Sequence, residues 1–389
     1  MIVFLIFTIS AASFEGFFVK WTFRDDSGFS YQVILDGTAE KPFIYRQLIP
    51  TLSRESVAHI PDNTKSKLID KLEKHNLLND RFKQVHLEPE YMLEYYFAYA
   101  LTFLSLMSAI FIFRRLCIEV TNNAVAGTLA AMAFALVFPL FETFGGYFYD
   151  CSEVFFFALA ALLAWRGNYI ALIILTPFAE LNKESFLFFA VTLYPLLRRT
   201  QSVKVSALAT GVSVLTAGVV YLILRSMYVD NFGGSVRLHY AETIDYLMPL
   251  ISCIAIYFAQ KNIPALNTRI KKIIFTICAV VVCFLIIPKF PKIFELYFRF
   301  GHTYSVASGE RLFLPHLMMM FWIVKNAWKK LNLNWKYHTY IALAINMPLW
   351  ILFCSPGELR NLSMMYPVFI LMMTFYIAKV LNTYLTKKA

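Results

Sequence analysis

Long apolar runs that recur between short charged breaks constrain this chain more than any other feature of its sequence. A membrane span needs roughly 20 apolar residues, and fewer where other helices back it. This reading predicts about twelve membrane helices, several of them short. The runs lie near residues 2–21, 91–113, 124–141, 151–165, 168–180, 184–197, 205–225, 244–259, 273–288, 311–328, 337–354 and 361–382. We therefore expect an all-α polytopic membrane protein, in which residues 1–389 form a single integral membrane domain.

Composition supports the same class. The chain is 59% hydrophobic and contains 38 Phe and 22 Tyr, a composition that a soluble domain of this size does not carry without aggregating. A net charge of +11 would suggest a nucleic-acid partner in a soluble protein. Here the basic residues that hold membrane loops in the cytoplasm explain the charge better, so we expect membrane lipids and no nucleic acid as partners. The cysteines show no close pairing, and no disulfide framework is predicted.

The distribution of basic residues predicts the orientation of the chain. One set of alternating connections is rich in Lys and Arg, and the short connections of the other set hold far fewer: none in 142–150, then Lys183, and Arg360. The basic set includes Arg114-Arg115, Arg166, Arg198-Arg199, Lys261 to Lys272, Lys325 to Lys336 and Lys387-Lys388. By the positive-inside rule this set is cytoplasmic, which places both termini inside and the long polar segment 22–90 outside. We interpret the first run as a retained signal-anchor.

Two further segments depart from a simple spanning pattern. The runs 168–180 and 184–197 are too short to cross a bilayer comfortably, and the polar residues 180–184 separate them. Polar backbone at that depth must line a cavity or be buried in protein, so these runs predict short or re-entrant helices. Within the first outer loop, apolar positions among charges in residues 63–78 predict an amphipathic helix on the outer surface.

The polar residues that topology does not explain collect on the predicted outer side. Asp25 and Asp26 open the first loop, where they suit a general base or a cation site; alternatively they begin a solvated loop, with Arg24 pairing one of them. Arginine presents a fork that matches phosphate oxygens, so we expect a phosphate site on this side. Its predicted cations are Arg46, Lys183, Arg311 and Arg360, supported by Tyr45, Glu180, Glu184, Glu310 and Glu358, with Asp150 beside them. Each Arg alone is equally consistent with an interfacial anchor, and Asp150 with a helix N-cap.

Several of these motifs together resemble bacterial membrane glycosyltransferases of the GT-C superfamily. The resembling elements are an Asp-rich start of the first loop, Tyr31, Tyr45-Arg46-x-Leu48-x-Pro50, Tyr147-x-Tyr149-Asp150, Asn182-Lys183-Glu184-Ser185 and Glu358-x-Arg360. The resemblance implies a large first outer loop with surface helices, and short re-entrant helices around a cavity. It implies a bacterial inner-membrane enzyme whose active site faces the periplasm. Such an enzyme transfers a sugar from a polyprenyl-phosphate donor to a glycan or lipid acceptor, with Asp26 as the general base, Asp25 as its competitor and Asp150 in support.

Other functions remain open at the level of sequence. Within carbohydrate chemistry the alternative is a polymerase or ligase of lipid-linked oligosaccharides. A secondary transporter or lipid flippase is an alternative of a different class, although it predicts internal symmetry and charges at mid-membrane depth, which are not evident here. No cofactor is expected, and no metal is required where cationic side chains neutralise the phosphate, although paired carboxylates could hold a divalent ion.

Overall fold

The computed structural model describes residues 1–23, 28–75, 80, 82–83, 87–142, 146–233, 314–354 and 359–386. Within these residues the regular structure is helical. The α-helices are α1 (Ile2–Trp21), α2 (Tyr31–Leu35), α3 (Leu48–Ala58), α4 (Asp62–Lys74), α5 (Met92–Thr121), α6 (Ala124–Phe141), α7 (Asp150–Arg166), α8 (Tyr169–Asn182), α9 (Phe186–Thr192), α10 (Tyr194–Leu197), α11 (Val203–Met227), α12 (Leu314–Ala327), α13 (Leu333–Phe353) and α14 (Tyr366–Thr386).

Membrane-grade helices account for much of this architecture. Among the described residues, five helical segments are long and apolar enough to cross a membrane: Ile2–Trp21, Pro89–Thr121, Ala124–Phe141, Val203–Met227 and Leu359–Thr383. The all-helical class predicted from sequence is confirmed. The length and apolar composition of these five helices are consistent with the predicted integral membrane protein. The predicted runs 244–259 and 273–288 lie outside the described residues, so a total of twelve spans stays a prediction.

Two predicted runs take a different form in the structure. The run 91–113 continues as a helix to Thr121, because the basic residues that were expected to end it find partners: Arg114 bonds Thr128 at 2.9 Å and Arg115 pairs with Glu119. The run 184–197 divides into α9 and α10. Pro195 lies in the first turn of α10, where its missing N–H and its restriction of the preceding residue favour a new helix start over a continued one.

At one end of the bundle, tight turns join successive helices, and capping residues mark where one helix ends and the next begins. Asn122 closes α5 in the left-handed conformation, and the side chain of Asn123 then accepts from the backbone N–H of Ala126 to begin α6. Gly167 with φ +72° and Asn168 repeat this arrangement between α7 and α8. A left-handed stop followed by an Asn cap reverses the chain in two residues.

Basic connections meet at that same end. Arg115 and Arg166 both pair with Glu119, and Arg199 donates to the carbonyl of Trp165 at 3.0 Å. The sequence assigned these arginines to the cytoplasmic set, and the structure places them together. Which side of a membrane this end faces stays a prediction.

The core brings α5 against α6 and α7, while α1 and α14 pack on α6. Gly127 allows the close approach of α6 to α5, since a Cβ at this position would lie 3.1–3.3 Å from Cys117 and Ile118. Apolar side chains elsewhere stay exposed, as on α11 where Leu208 and Leu215 are about 70% exposed. Exposed apolar helix faces of this kind suit contact with lipid. The amphipathic helix predicted at 63–78 is α4, whose Ile69 and Leu72 pack against the core.

Candidate functional site

A buried cluster of charged and aromatic side chains lies at the end of the bundle opposite the tight turns. Four segments supply it: the connection after the 3-10 turn Phe43–Tyr45, the start of α7, the break between α8 and α9, and the 3-10 turn Leu359–Met365. We define the polar cluster as Arg46, Tyr147, Tyr149, Asp150, Glu153, Lys183, Glu184 and Arg360. Three of the four predicted phosphate-binding cations, and Asp150, therefore converge in one place.

Asp150 lies at the centre of the cluster. Its carboxylate contacts Arg360 Nη1 through both oxygens, at 3.1 and 3.2 Å, and Lys183 Nζ at 3.6 Å. Its Oδ2 also accepts from the backbone N–H of Tyr147 at 2.8 Å. That N–H precedes α7, whose first residue is Asp150 itself, so the carboxylate does not cap the helix. The N-cap alternative is therefore wrong, and Asp150 instead orients two cations.

Glu153 joins the cluster one helical turn later. Its two oxygens accept from Lys183 Nζ at 2.7 Å and from Ser185 Oγ at 2.6 Å, and it is 3% exposed. Sequence reasoning missed this residue. Its signal was available, because a carboxylate three positions after Asp150 shares its helix face, and the helix that follows is apolar up to Arg166.

Arg46 forms the second half of the cluster. Its guanidinium binds Glu184 in a bidentate manner, at 3.1 and 2.7 Å, and donates to the hydroxyl of Tyr149. Burial acts to raise the pKa of Glu184, but the Arg46 charge and its hydrogen bonds outweigh this and hold the pKa below its usual range. Burial likewise acts to lower the pKa of Arg46, yet the carboxylate of Glu184 raises it, so the guanidinium stays charged.

Two stacked tyrosines connect the halves. The rings of Tyr147 and Tyr149 lie 5.0 Å apart with an interplanar angle of 9°. Arg360 lies over Tyr147 at 4.6 Å and Arg46 over Tyr149 at 4.2 Å. Cation–π contacts of this kind are worth more where water is excluded. Arg46 and Arg360 are only 6% and 7% exposed, so they are not snorkelling interfacial anchors.

The Asn182-Lys183-Glu184-Ser185 motif directs all four of its side chains into this region. Asn182 donates to the carbonyl of Tyr149 at 3.1 Å, while Lys183 and Ser185 bind Glu153. Glu184 receives Arg46, as described above. The polar break between α8 and α9 would otherwise leave backbone groups unsatisfied. These contacts join it to α7 and to the first loop.

The remaining predicted site residues fall into two groups. Tyr45 is buried but packs edge-on against Tyr221 of α11 at 5.8 Å, and Glu180 accepts from the backbone N–H of Leu187 at 2.8 Å. Within the described residues, neither side chain forms a hydrogen bond with a cation of the cluster. Five predicted residues lie outside the described residues: Asp25, Asp26, Glu310, Arg311 and Glu358.

The described residues on both sides of Asp25 and Asp26 pack next to the cluster. Before them, Trp21 donates through Nε1 to the carbonyl of Glu142 at 3.0 Å. After them, Phe29 stacks on Phe43 at 4.5 Å and contacts Tyr147 at 5.8 Å. The first loop therefore leaves α1 and returns to the structure beside the same cluster.

A second carboxylate that sequence reasoning missed follows α6 directly. Glu142 is 1% exposed, its Oε2 has no hydrogen-bond partner among the described residues, and its carbonyl accepts from Lys20 Nζ at 2.9 Å. In the described part of the chain, no group of three or more His, Cys, Asp or Glu side chains is arranged to hold a metal ion. Within the described residues, the site offers three buried cations, each paired with a carboxylate, together with a fourth buried cation, Lys20, and the Glu142 carboxyl group, whose Oε2 is unpartnered.

Comparisons of this chain with protein-family models, with curated proteins and with solved structures each gave no match.

Proposed function

We propose that this protein is a membrane glycosyltransferase of GT-C type that moves a sugar from a polyprenyl-phosphate donor to a glycan or lipid acceptor on the outer face of a bacterial inner membrane. The observation that carries the proposal is the convergence of Arg46, Lys183 and Arg360 in one buried cluster. These residues lie far apart in sequence, and a buried cation is expensive unless it is paired or binds an anion.

The charge of the cluster supports a phosphate site. Each cation is held by a carboxylate: Arg46 by Glu184, Lys183 by Glu153, and Arg360 by Asp150. A donor phosphate offers acceptor oxygens that match guanidinium forks, so it can take over donor groups that carboxylates now occupy. Cations fixed in place before the reaction stabilise charge that develops later, which is where catalysis is gained.

The reaction follows from these charges. The acceptor hydroxyl oxygen attacks the anomeric carbon of the donor sugar, and the bond from that carbon to the phosphate oxygen breaks. The bonding electron pair leaves with the polyprenyl phosphate, whose added negative charge the cations stabilise. The hydroxyl proton passes to a carboxylate acting as general base. We assign this role to Asp26, with Asp25 as competitor, because Asp150 already accepts from Tyr147 and Arg360, lies 3.6 Å from the Lys183 ammonium, and is better suited to positioning these cations.

Transfer in proteoliposomes tests the proposal. Purified protein is supplied with a polyprenyl-phosphate-linked radiolabelled sugar and a membrane glycan extract, and labelled product is measured for the wild type, Arg360→Lys and Arg46→Lys. Arg166→Lys is the matched control, because Arg166 pairs with Glu119 at the opposite end of the bundle. Loss in the first two variants with retention in the control supports the proposal.

Two results would count against it. Equal transfer in all variants would place donor binding elsewhere. Movement of the lipid-linked sugar across the bilayer without any sugar transfer would instead favour the flippase alternative.

A further inference from the structure

Glu142 is a buried carboxyl group that the proposed reaction does not use. It begins the connection after α6, is 1% exposed, and leaves Oε2 without a hydrogen-bond partner among the described residues. An ionised carboxylate in such a place loses its hydration without compensating hydrogen bonds, and this is one of the most expensive arrangements a protein can hold. A neutral carboxyl group avoids most of that penalty.

The surroundings of Glu142 contain both signs of charge. The titratable groups that face it from the neighbouring elements are Lys20 on α1, Asp150 and Glu153 on α7, Lys183 before α9, Arg360 on the 3-10 turn and Tyr366 on α14. The α7 carboxylates already neutralise their own cations, Asp150 with Arg360 and Glu153 with Lys183. Among these groups Lys20 is the cation that remains, and its ammonium group donates to the backbone carbonyl of Glu142 rather than to the Glu142 carboxylate.

Two neighbouring aromatic residues, Phe141 and Tyr366, support a neutral carboxyl group at Glu142. Phe141, next to Glu142, stacks on Tyr366 with ring centroids 5.7 Å apart, and the hydroxyl of Tyr366 is also without a partner among the described residues. Glu142 lies just beyond the α6 span, where burial, with the Asp150 charge adding to it, raises its pKa well above the usual range. The geometry and the charge balance both favour a protonated, neutral Glu142.

We propose that Glu142 holds a proton in the resting protein and acts as a gate on the anion site, admitting a phosphate when neutral and repelling it when ionised. This inference rests on the proposed use of the polar cluster as a phosphate site. An anion entering beside Asp150 and Glu153 meets two fixed negative charges already, and a third from Glu142 would oppose it. By linkage, phosphate binding and the Glu142 proton then favour each other.

The first test is infrared spectroscopy of the full-length protein in detergent micelles. A protonated carboxyl group gives a carbonyl stretching band that is separate from carboxylate bands and shifts in D₂O. We expect Glu142→Gln to lose part of this band at neutral pH. Glu180→Gln is the matched control for a second buried glutamate with an unpartnered oxygen, and it should remove a different part. A band unchanged by Glu142→Gln would overturn the proposal.

The second test is calorimetric binding of farnesyl phosphate across a pH series. Wild-type affinity should weaken as the pH rises through ionisation of Glu142, by up to about tenfold per pH unit for one coupled proton. Glu142→Gln, which is permanently neutral, should bind with a flat profile over that range. A profile that persisted in Glu142→Gln would assign the titration to another group such as Lys20 and overturn the gate.

The outcomes separate this inference from the proposed function. One outcome is that farnesyl phosphate affinity depends on pH in the wild type and not in Glu142→Gln, while the wild type transfers no sugar. This outcome would support the gate and reject the glycosyltransferase. Absence of farnesyl phosphate binding at every pH would overturn the gate and the phosphate site together.

Discussion

Arg360 and Asp150, which are 210 positions apart in the chain, form a buried ion pair in which one guanidinium nitrogen lies 3.1 and 3.2 Å from the two carboxylate oxygens. The pair joins the 3-10 turn before α14 to the first residue of α7. Since Asp150 also contacts Lys183, the three segments that contribute these residues hold each other in place. This pair therefore contributes to stability and, in the proposed function, to binding of the donor phosphate. Different substitutions test these two roles.

Conservative replacement of the guanidinium tests function. Arg360→Lys keeps the charge but loses the planar guanidinium, whose Nη1 contacts both oxygens of Asp150 and whose fork would bind phosphate in the proposed complex. Hydrogen bonds to charged groups contribute about 1.5–3 kcal/mol, so we expect kcat/KM for sugar transfer to fall about 10–100-fold. Arg166→Lys is the control, and an equal fall in that variant would mean that the effect does not arise at the cluster.

Removal of the central carboxylate tests stability. Asp150→Asn removes the carboxylate that pairs with Arg360 and the more distant of the two carboxylates beside Lys183. Breaking a buried ion pair typically destabilises a protein by about 3–5 kcal/mol. Glu119→Gln, in the exposed pair with Arg166, should change stability by less than about 1 kcal/mol. Unfolding in detergent micelles, followed by circular dichroism, measures both.

The double variant Asp150→Asn with Arg360→Gln sharpens this prediction. It removes both charges of the pair, so it should be less destabilised than the sum of the two single variants. Strict additivity would show that the two residues do not interact energetically, contrary to their geometry.

Packing of the connection onto α1 gives a test that does not involve charge. A Cβ at Gly146 would lie 2.4 Å from Cδ1 of Trp21 and 2.8 Å from Phe17. Trp21 cannot move away easily, because it is buried and its Nε1 donates to the Glu142 carbonyl. We expect Gly146→Ala to cost about 1–3 kcal/mol through overpacking. Gly218→Ala in α11, where nothing lies within 4 Å of the added Cβ, should be neutral or stabilising.

Acid sensitivity follows from the pair of Arg46 and Glu184. The folded-state pKa of Glu184 is lowered, chiefly by Arg46 acting against burial, relative to about 4.3 in an unfolded chain. Its contribution to stability is therefore present above about pH 4.3 and is lost as the pH falls through the folded-state value. In thermal unfolding across this range, Glu184→Gln should show a shallower acid-induced loss than the wild type. Glu55→Gln, at an exposed carboxylate on α3, should leave the acid slope unchanged.

The sequence predicts helix positions and chain reversals better than it predicts the site. Apolar runs report burial in lipid or protein directly, and the pairs Asn122-Asn123 and Gly167-Asn168 mark helix ends through local backbone chemistry. The convergence of Arg46, Lys183 and Arg360 depends on long-range packing, and only their shared polarity in an apolar chain suggested it. Glu142 was missed because it lies directly beside an apolar run, where residue spacing does not reveal a buried partner. Glu153 was missed although its spacing from Asp150 places both carboxylates on one helix face.

The proposed general base gives the last prediction. Asp26 lies outside the described residues, but the chain on either side of it packs beside the cluster, through Trp21 at Glu142 and Phe29 at Tyr147. A general base contributes about 10²–10⁴-fold in rate, so Asp26→Asn should lose most transfer while retaining farnesyl phosphate binding. Asp36→Asn tests a further carboxylate of the first outer loop as the base, although Asp36 already accepts from the hydroxyl of Tyr91 at 2.6 Å. Activity lost only in Asp25→Asn would move the base to that neighbour, and full activity in all three variants would leave the proposed reaction without its base.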